Sequence, residues 1–271
     1  MNQGPVPTEW LAPVWSGEHG VRALMTTRNG GVSVGAYSSL NLRQGPAPDS
    51  PGDASNAVDE NRRKLARALG ARPVYLDQVH GADVVRLTPA HLHAPCPVVR
   101  ADAAVTSEPG IACTVLVADC LPVLMCAARG TAVGAAHAGW RGLAAGVLER
   151  TVDALCNAAG CQPHEIRAWF GACIGPQAFE VGADVLEAFG ATASDIGAGR
   201  AHRCFEPRPR PDGLMRWCAD LAGLAADRLR AAGVVDQSGG EWCTVSDSTR
   251  FYSFRRDRVT GRMAAAIARV G

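Results

Sequence analysis

Between Ala101 and Val147 the chain holds two short apolar segments, each followed by a residue able to bind a metal. Ile111 to Ala118 (IACTVLVA) runs into Asp119-Cys120-Leu121-Pro122, and Ala132 to Ala136 (AVGAA) runs into His137-Ala138-Gly139-Trp140-Arg141-Gly142. Both segments are rich in β-branched and small residues and bounded by Pro or Gly, which predicts buried strands. After Gly142 the period changes: Leu143, Val147, Leu148, Val152 and Leu155 recur at helical spacing up to Gly160. His137 is therefore expected on a glycine-containing strand-to-helix loop. Backbone N–H groups near a helix N-terminus hold anions such as phosphate there.

Burying such strands requires a core, and 271 residues supply one, as one large domain or two small ones. The formal net charge of +1 and pI of about 7.6 create no field to draw a nucleic acid or an anionic membrane. Asp119 and Pro122 interrupt the most apolar stretch, so no membrane helix is expected. The N-terminal MNQGPVPTEWLAPVW lacks a basic segment followed by an apolar run, which argues for a cytoplasmic chain. In such a reducing compartment the ten cysteines, with no C-x-x-C pair, read mostly as small buried hydrophobes. That reading covers Cys96, Cys113, Cys126, Cys156, Cys161, Cys173, Cys204, Cys218 and Cys243.

Leu24 to Thr27 reads as a strand entering Arg28-Asn29-Gly30-Gly31-Val32-Ser33, a glycine turn whose N–H groups and single guanidinium suit an oxyanion. A surface loop is expected over Gln44 to Ser55 and a helix over Val58 to Leu69. Val74 to Leu76 starts a strand leading to Asp77-Gln78-Val79-His80-Gly81, which places His80 near a strand turn. His91 and His93 read as exposed loop histidines. Farther on, a strand is expected over Ile166 to Phe170, a helix over Asp184 to Phe189, irregular chain over Ala191 to Pro211 and a helix over Leu214 to Ala231. Glu241 to Val245 and Phe251 to Phe254 read as strands.

His80, Cys120 and His137 are too far apart in sequence for a structural zinc module. Brought together by the fold, they match a catalytic zinc site with a fourth position for water or substrate. Two other readings remain open at this point: Cys120 as a nucleophile activated by His80 or His137, or as one more buried cysteine.

Six blocks bear on that choice: Thr27-Arg28-Asn29-Gly30-Gly31-Val32-Ser33 with Ser39-Leu40-Asn41-Leu42, Asp77-Gln78-Val79-His80-Gly81, Ala118-Asp119-Cys120-Leu121-Pro122-Val123, His137 to Gly142, Ile174-Gly175-Pro176 with Phe179-Glu180-Val181-Gly182, and Phe251 to Asp257. In this order, over about residues 24 to 263, the chain resembles the YfiH family, formerly labelled polyphenol oxidase or laccase and now associated with purine nucleoside phosphorylase activity. Gln177-Ala178 stands where relatives often have cysteine, which leaves the ligands untouched.

The resemblance implies a single α+β domain over residues 1–271, a four-layer αββα sandwich with two mixed sheets between helix layers. It implies zinc held by His80, Cys120 and His137, matched through the QVHG, DCLP and HAGWRG blocks. The implied reactions are phosphorolysis of adenosine, inosine, guanosine and methylthioadenosine, and deamination of adenosine, in which zinc lowers the pKa of water toward ~7. Arg28 and its loop, or Arg141 and the HAGWRG backbone, are the candidates for phosphate, and Asp119 or Gln78 for orienting water. The alternatives are a zinc or cysteine amide hydrolase acting on a cell-wall precursor and a non-catalytic zinc-stabilised binding protein. Multicopper oxidase chemistry needs more imidazoles than the seven histidines present.

Overall fold

The computed structural model describes residues 5–46, 51–93, 98–192 and 203–270. Cys96, the middle of the loop from Gln44 to Ser55, and residues 193–202 of the stretch expected to be irregular lie outside them. Two large sheets face each other. One has the spatial order β1 (Val21–Met25), β13 (Met263–Arg269), β5 (Ile111–Val117) and β2 (Arg72–Tyr75). The other runs β12 (Asp236–Gly239), β8 (Arg167–Phe170), β6 (Leu121–Cys126), β7 (Val133–Ala138), β4 (Ala103–Thr106) and β3 (Val84–Arg86). Both are mixed: β2 with β5, β3 with β4 and β8 with β12 pair parallel, and the rest pair antiparallel.

Side-chain alternation explains the layering. Along β13, Ala265 and Ile267 join Met25, Val115, Leu124, Val133 and Trp169 between the sheets. Ala264, Ala266 and Ala268 point the other way, onto Leu65 and Leu69 of helix α1 (Ser55–Leu69). The outer face of the second sheet is covered by helices α3 (Val147–Ala159) and α5 (Leu221–Ala231), where Leu148, Val152, Leu224 and Leu229 meet Val123, Met125 and Ala136. The layers therefore run helix, sheet, sheet, helix, as the family resemblance implied. Strands buried on both faces show as apolar runs, which is why β6 and β7 have no exposed position.

Several expectations need correction. His137 lies within β7, opposite Pro122 of β6, and not on the loop after it. The helical stretch from Leu143 to Gly160 is two helices, α2 (Trp140–Ala144) and α3, separated by Gly146 at φ +88°. The expected helix from Leu214 to Ala231 begins as strand β11 (Met215–Ala219) and becomes α5 only after Asp220, whose carboxylate caps the Gly223 N–H. β11 pairs with β10 (Phe205–Pro209), inside the stretch read as irregular, and with β9 (Glu180–Val181), forming a third, small sheet. Glu241 to Val245 contributes only an isolated bridge from Cys243 to Cys173, and Phe251 to Ser253 is irregular chain leading into α6 (Phe254–Asp257). The helix expected over Asp184 to Phe189 is α4 (Ala183–Ala188). Of the nine cysteines described, all are free; Cys156, Cys161 and Cys243 are half-buried, and Cys113, Cys126, Cys173, Cys204 and Cys218 are buried as expected.

Candidate metal centre

The chain crosses from the first sheet to the second twice at one end of the sandwich. Residues 76–83 connect β2 to β3 and carry His80; residues 118–120 connect β5 to β6 and carry Cys120. Because β2 and β5 are parallel, both crossings leave from the same end, where antiparallel β7 also brings His137 beside β6. Three residues distant in sequence are thus collected by topology. Their donor atoms all lie within 4.8 Å of one another, with Cys120 Sγ 3.8 Å from His80 Nε2. The two imidazoles meet edge to face, with centroids 4.9 Å apart.

Asp102, which no motif reading had singled out, fixes two of the three ligands. It lies just before β4, fully buried, opposite the end of β7. Its carboxylate accepts from the backbone N–H groups of Val79 (3.1 Å), His80 (2.9 Å) and Gly81 (2.7 Å) and from His137 Nδ1 (2.8 Å). His80 adopts φ +61°, the left-handed conformation that turns successive N–H groups into an anion-binding nest. A carboxylate only accepts, so the His137 proton sits on Nδ1 and leaves Nε2 for a metal, the arrangement common behind zinc-bound histidines. Burial raises the Asp102 pKa, yet the His137 and backbone bonds outweigh it and hold the group below its ordinary value. The sequence signal for Asp102 was its place five residues after the last proline of a loop and immediately before an apolar strand, which is too common to stand out.

Asp119 shapes the second crossing. It sits at φ +92°, with Oδ1 accepting from Thr244 Oγ1 (2.6 Å) and Oδ2 from the Arg255 N–H (2.6 Å). Its carbonyl accepts from the Ile174 N–H at 2.8 Å. The DCLP, IGP and FRRD blocks therefore meet at one residue, next to Cys120. Close approach also explains two glycines of the HAGWRG block. A Cβ on Gly139 would lie 2.9 Å from Cys120 Sγ and 3.2 Å from His80 Cδ2, and one on Gly142 would lie 2.5 Å from the Gly81 carbonyl oxygen.

The donors fit zinc: two imidazoles, one with its tautomer fixed, and a thiol that ionises easily. Burial would push the Cys120 thiol up, but the charges and hydrogen bonds of His137 and His80 bring it down to about 6. His137 is depressed by burial, but Cys120 and Asp102 raise it to about 9. Without metal these shifts favour a thiolate and imidazolium pair near neutral pH. Among the described residues this is the one group of three donors close enough for a metal.

The remaining candidates have other partners. Gln78 donates through Nε2 to the Leu116 carbonyl (2.9 Å) and accepts the Leu116 N–H at 2.8 Å, clamping the first crossing to β5. Arg28 donates to the carbonyls of Ser38 (3.2 Å) and Ser248 (2.9 Å) and lies over the Tyr252 ring. Arg141 is exposed at the start of α2, over Trp140. His91 bonds back to Thr88 in a short helical turn, Pro89 to Leu92, away from the metal group.

Comparison with known proteins agrees with this geometry. Residues 22–270 match the family described as multi-copper polyphenol oxidoreductase laccase. A purine nucleoside phosphorylase of Pseudomonas aeruginosa is 48% identical over 258 residues, covering 95% of this chain and 97% of that protein. The purine nucleoside phosphorylase YfiH of Escherichia coli is 44% identical, with 95% and 97% covered. Among solved structures, a Neisseria meningitidis protein superposes with TM-score 0.81 at 41% identity over 97% of this chain and all of that one. YlmD of Geobacillus stearothermophilus superposes with TM-score 0.80 at 31% identity over 99% of each. The chain belongs to the YfiH family of multi-copper polyphenol oxidoreductase laccase-type proteins.

Proposed function

We propose that this protein is a zinc-dependent, cytoplasmic purine nucleoside phosphorylase that cleaves adenosine, inosine, guanosine and methylthioadenosine with phosphate and also deaminates adenosine. The observation that carries the reading is the His80, Cys120 and His137 group, held by Asp102 and Asp119 at the open end of the sandwich. The names of the relatives support the reaction class. No described helix is long and apolar enough to cross a membrane.

His80, Cys120 and His137 would hold zinc, which supplies Lewis acidity for deamination when bound. In phosphorolysis a phosphate oxygen bonds to the sugar C1′ as the bond from C1′ to the purine nitrogen breaks. The electron pair leaves on the base, which takes up a proton. Positioning phosphate against C1′ is the main demand on the protein, and Arg28, Arg141 and Arg255 are motif-block arginines that could meet it. Asp119 and Gln78, whose side-chain oxygens and amide are engaged, hold the two crossings and through them set where water sits at the candidate metal group.

The test is a product assay on adenosine and inosine with and without phosphate. Free base and sugar phosphate should form only with phosphate, and inosine should form from adenosine without it. Base release independent of phosphate would refute the phosphorylase. One observation favours a second reading: Cys120, His137 and Asp102 form a thiol, imidazole and carboxylate series suited to a cysteine amide hydrolase. Rapid alkylation of Cys120 in the zinc-loaded protein, with inactivation, would select it.

A further inference from the structure

Four arginines, two from the β10–β11 hairpin and two from α6 and the residue after it, converge on an open cavity of about 450 Å³. Arg210 follows β10, Arg216 lies on β11, Arg255 lies on α6 and Arg258 follows it; Glu180 of β9 is the one carboxylate in the lining. Glu180 pairs with Arg210 at 2.7 Å. Among the described residues, Arg216, Arg255 and Arg258 have no carboxylate at ion-pair distance. Arg255 Nη1 reaches the carbonyls of Ala178 (3.5 Å) and Glu180 (3.3 Å) and its guanidinium lies over the Phe179 ring, while that of Arg258 lies over the Phe254 ring. Asp184 approaches the rim: a Cβ on Gly182 would sit 2.6 Å from its Oδ1 and 2.9 Å from Arg216 Nη1, so glycine keeps that wall open. Guanidiniums gathered around one polar cavity repel each other until an anion from solution joins them. Their planar donor forks match phosphate oxygens.

We infer that this cavity binds the inorganic phosphate consumed at the metal group, an inference that rests on the phosphorylase reading. Arg255 connects the two places. Its side chain lines the cavity, and its backbone N–H donates to Asp119, the residue before Cys120. Arg28 and Arg141 each offer a single guanidinium, whereas this cavity gathers four around one space. In the reaction the arginines neutralise the phosphate dianion and align one oxygen with C1′, while the departing electron pair leaves on the purine.

The test compares wild type with Arg216→Gln/Arg258→Gln, which spares Arg255 and every metal contact. Phosphorolysis kinetics and calorimetric titration of inorganic phosphate into zinc-loaded protein are measured together. The phosphate KM is expected to rise about tenfold or more, since each lost bond is charge-assisted. Calorimetric affinity should fall in parallel, with nucleoside KM and zinc content unchanged. Glu180→Gln should tighten phosphate. Unchanged phosphate KM and calorimetric affinity in the double variant overturn the site. Phosphate that binds wild type, fails to bind the double variant and never supports cleavage would leave the anion site standing and remove the phosphorylase reading. Adenosine 5′-monophosphate carries the same oxyanion; if it fills the cavity and phosphate does not displace it, the assignment to inorganic phosphate falls.

Discussion

Asp102→Asn keeps the shape of the side chain and removes its capacity to accept at both ends. In the native protein Oδ1 serves His80 N–H and His137 Nδ1, and Oδ2 serves Val79 N–H and Gly81 N–H. Whichever end carries the NH2 group, two donors held on a buried side chain face another donor. At ~1–3 kcal/mol for each unsatisfied group the loss is ~2–6 kcal/mol. For a chain of this size each kcal/mol moves the midpoint about 2–4 °C, so a drop of about 4–24 °C is expected. Zinc should suffer separately. Loss of the carboxylate behind His137 frees its tautomer, and such partners are typically worth about 10–100-fold in metal affinity. Competition against a chromogenic chelator measures the affinity, and thermal melting with and without chelator separates it from folding. Zinc affinity within about twofold of wild type would refute the role given to Asp102.

His80→Ala or His137→Ala should cut zinc well below one per chain by elemental analysis, because three donors leave no spare; full occupancy in both would remove the metal assignment. Gly139→Ala, with its methyl 2.9 Å from Cys120 Sγ, should lose zinc at an overpacking cost of about 1–3 kcal/mol in the chelated protein. Normal zinc content there would mean that the crossing yields. In chelated protein the Cys120 thiol, lowered to about 6, should be about 90% thiolate at pH 7, against a few per cent for an ordinary cysteine. Its alkylation should rise with pH through about 6, and zinc should block it. The Cys120 contribution to stability is lost as pH falls through about 6, and that of His137, raised to about 9, is lost as pH rises through 9. The chelated protein should therefore be most stable between those values; an alkylation midpoint near 8.5 would contradict the pairing.

Sequence reading was strongest where residue type and period coincide. α1, β5 and β8 appeared as expected because their apolar positions repeat cleanly. The convergence of His80, Cys120 and His137 was legible through the motif blocks, which record local backbone demands: glycines at close contacts and Asp119 at positive φ. What failed was non-local. MAAAIAR of β13 has helix-forming alanines, and only its place between β1 and β5, where small side chains fit both faces, makes it a strand. Met215 to Ala219 merged with the helix after it because five residues are too few to show a period distinct from the helical one that begins after Asp220. Asp102 stayed hidden because its partners come from residues 79–81 and 137, and a lone aspartate before a strand carries no pattern.

Because each sheet crossing carries one member of the candidate metal group, the gap between the sheets works as a spacer for those donors. The thickness of that gap is set by Leu124, Val133, Trp169 and Ile267, packed between the layers along the length of the sandwich. A change of side-chain volume there, touching neither His80 nor Cys120, moves one crossing against the other and alters the 3.8 Å between their donors. The chemistry of this protein is thus calibrated by the girth of its core, and enlarging Ala135 or trimming Trp169 should be read out as altered metal affinity before it is read out as unfolding.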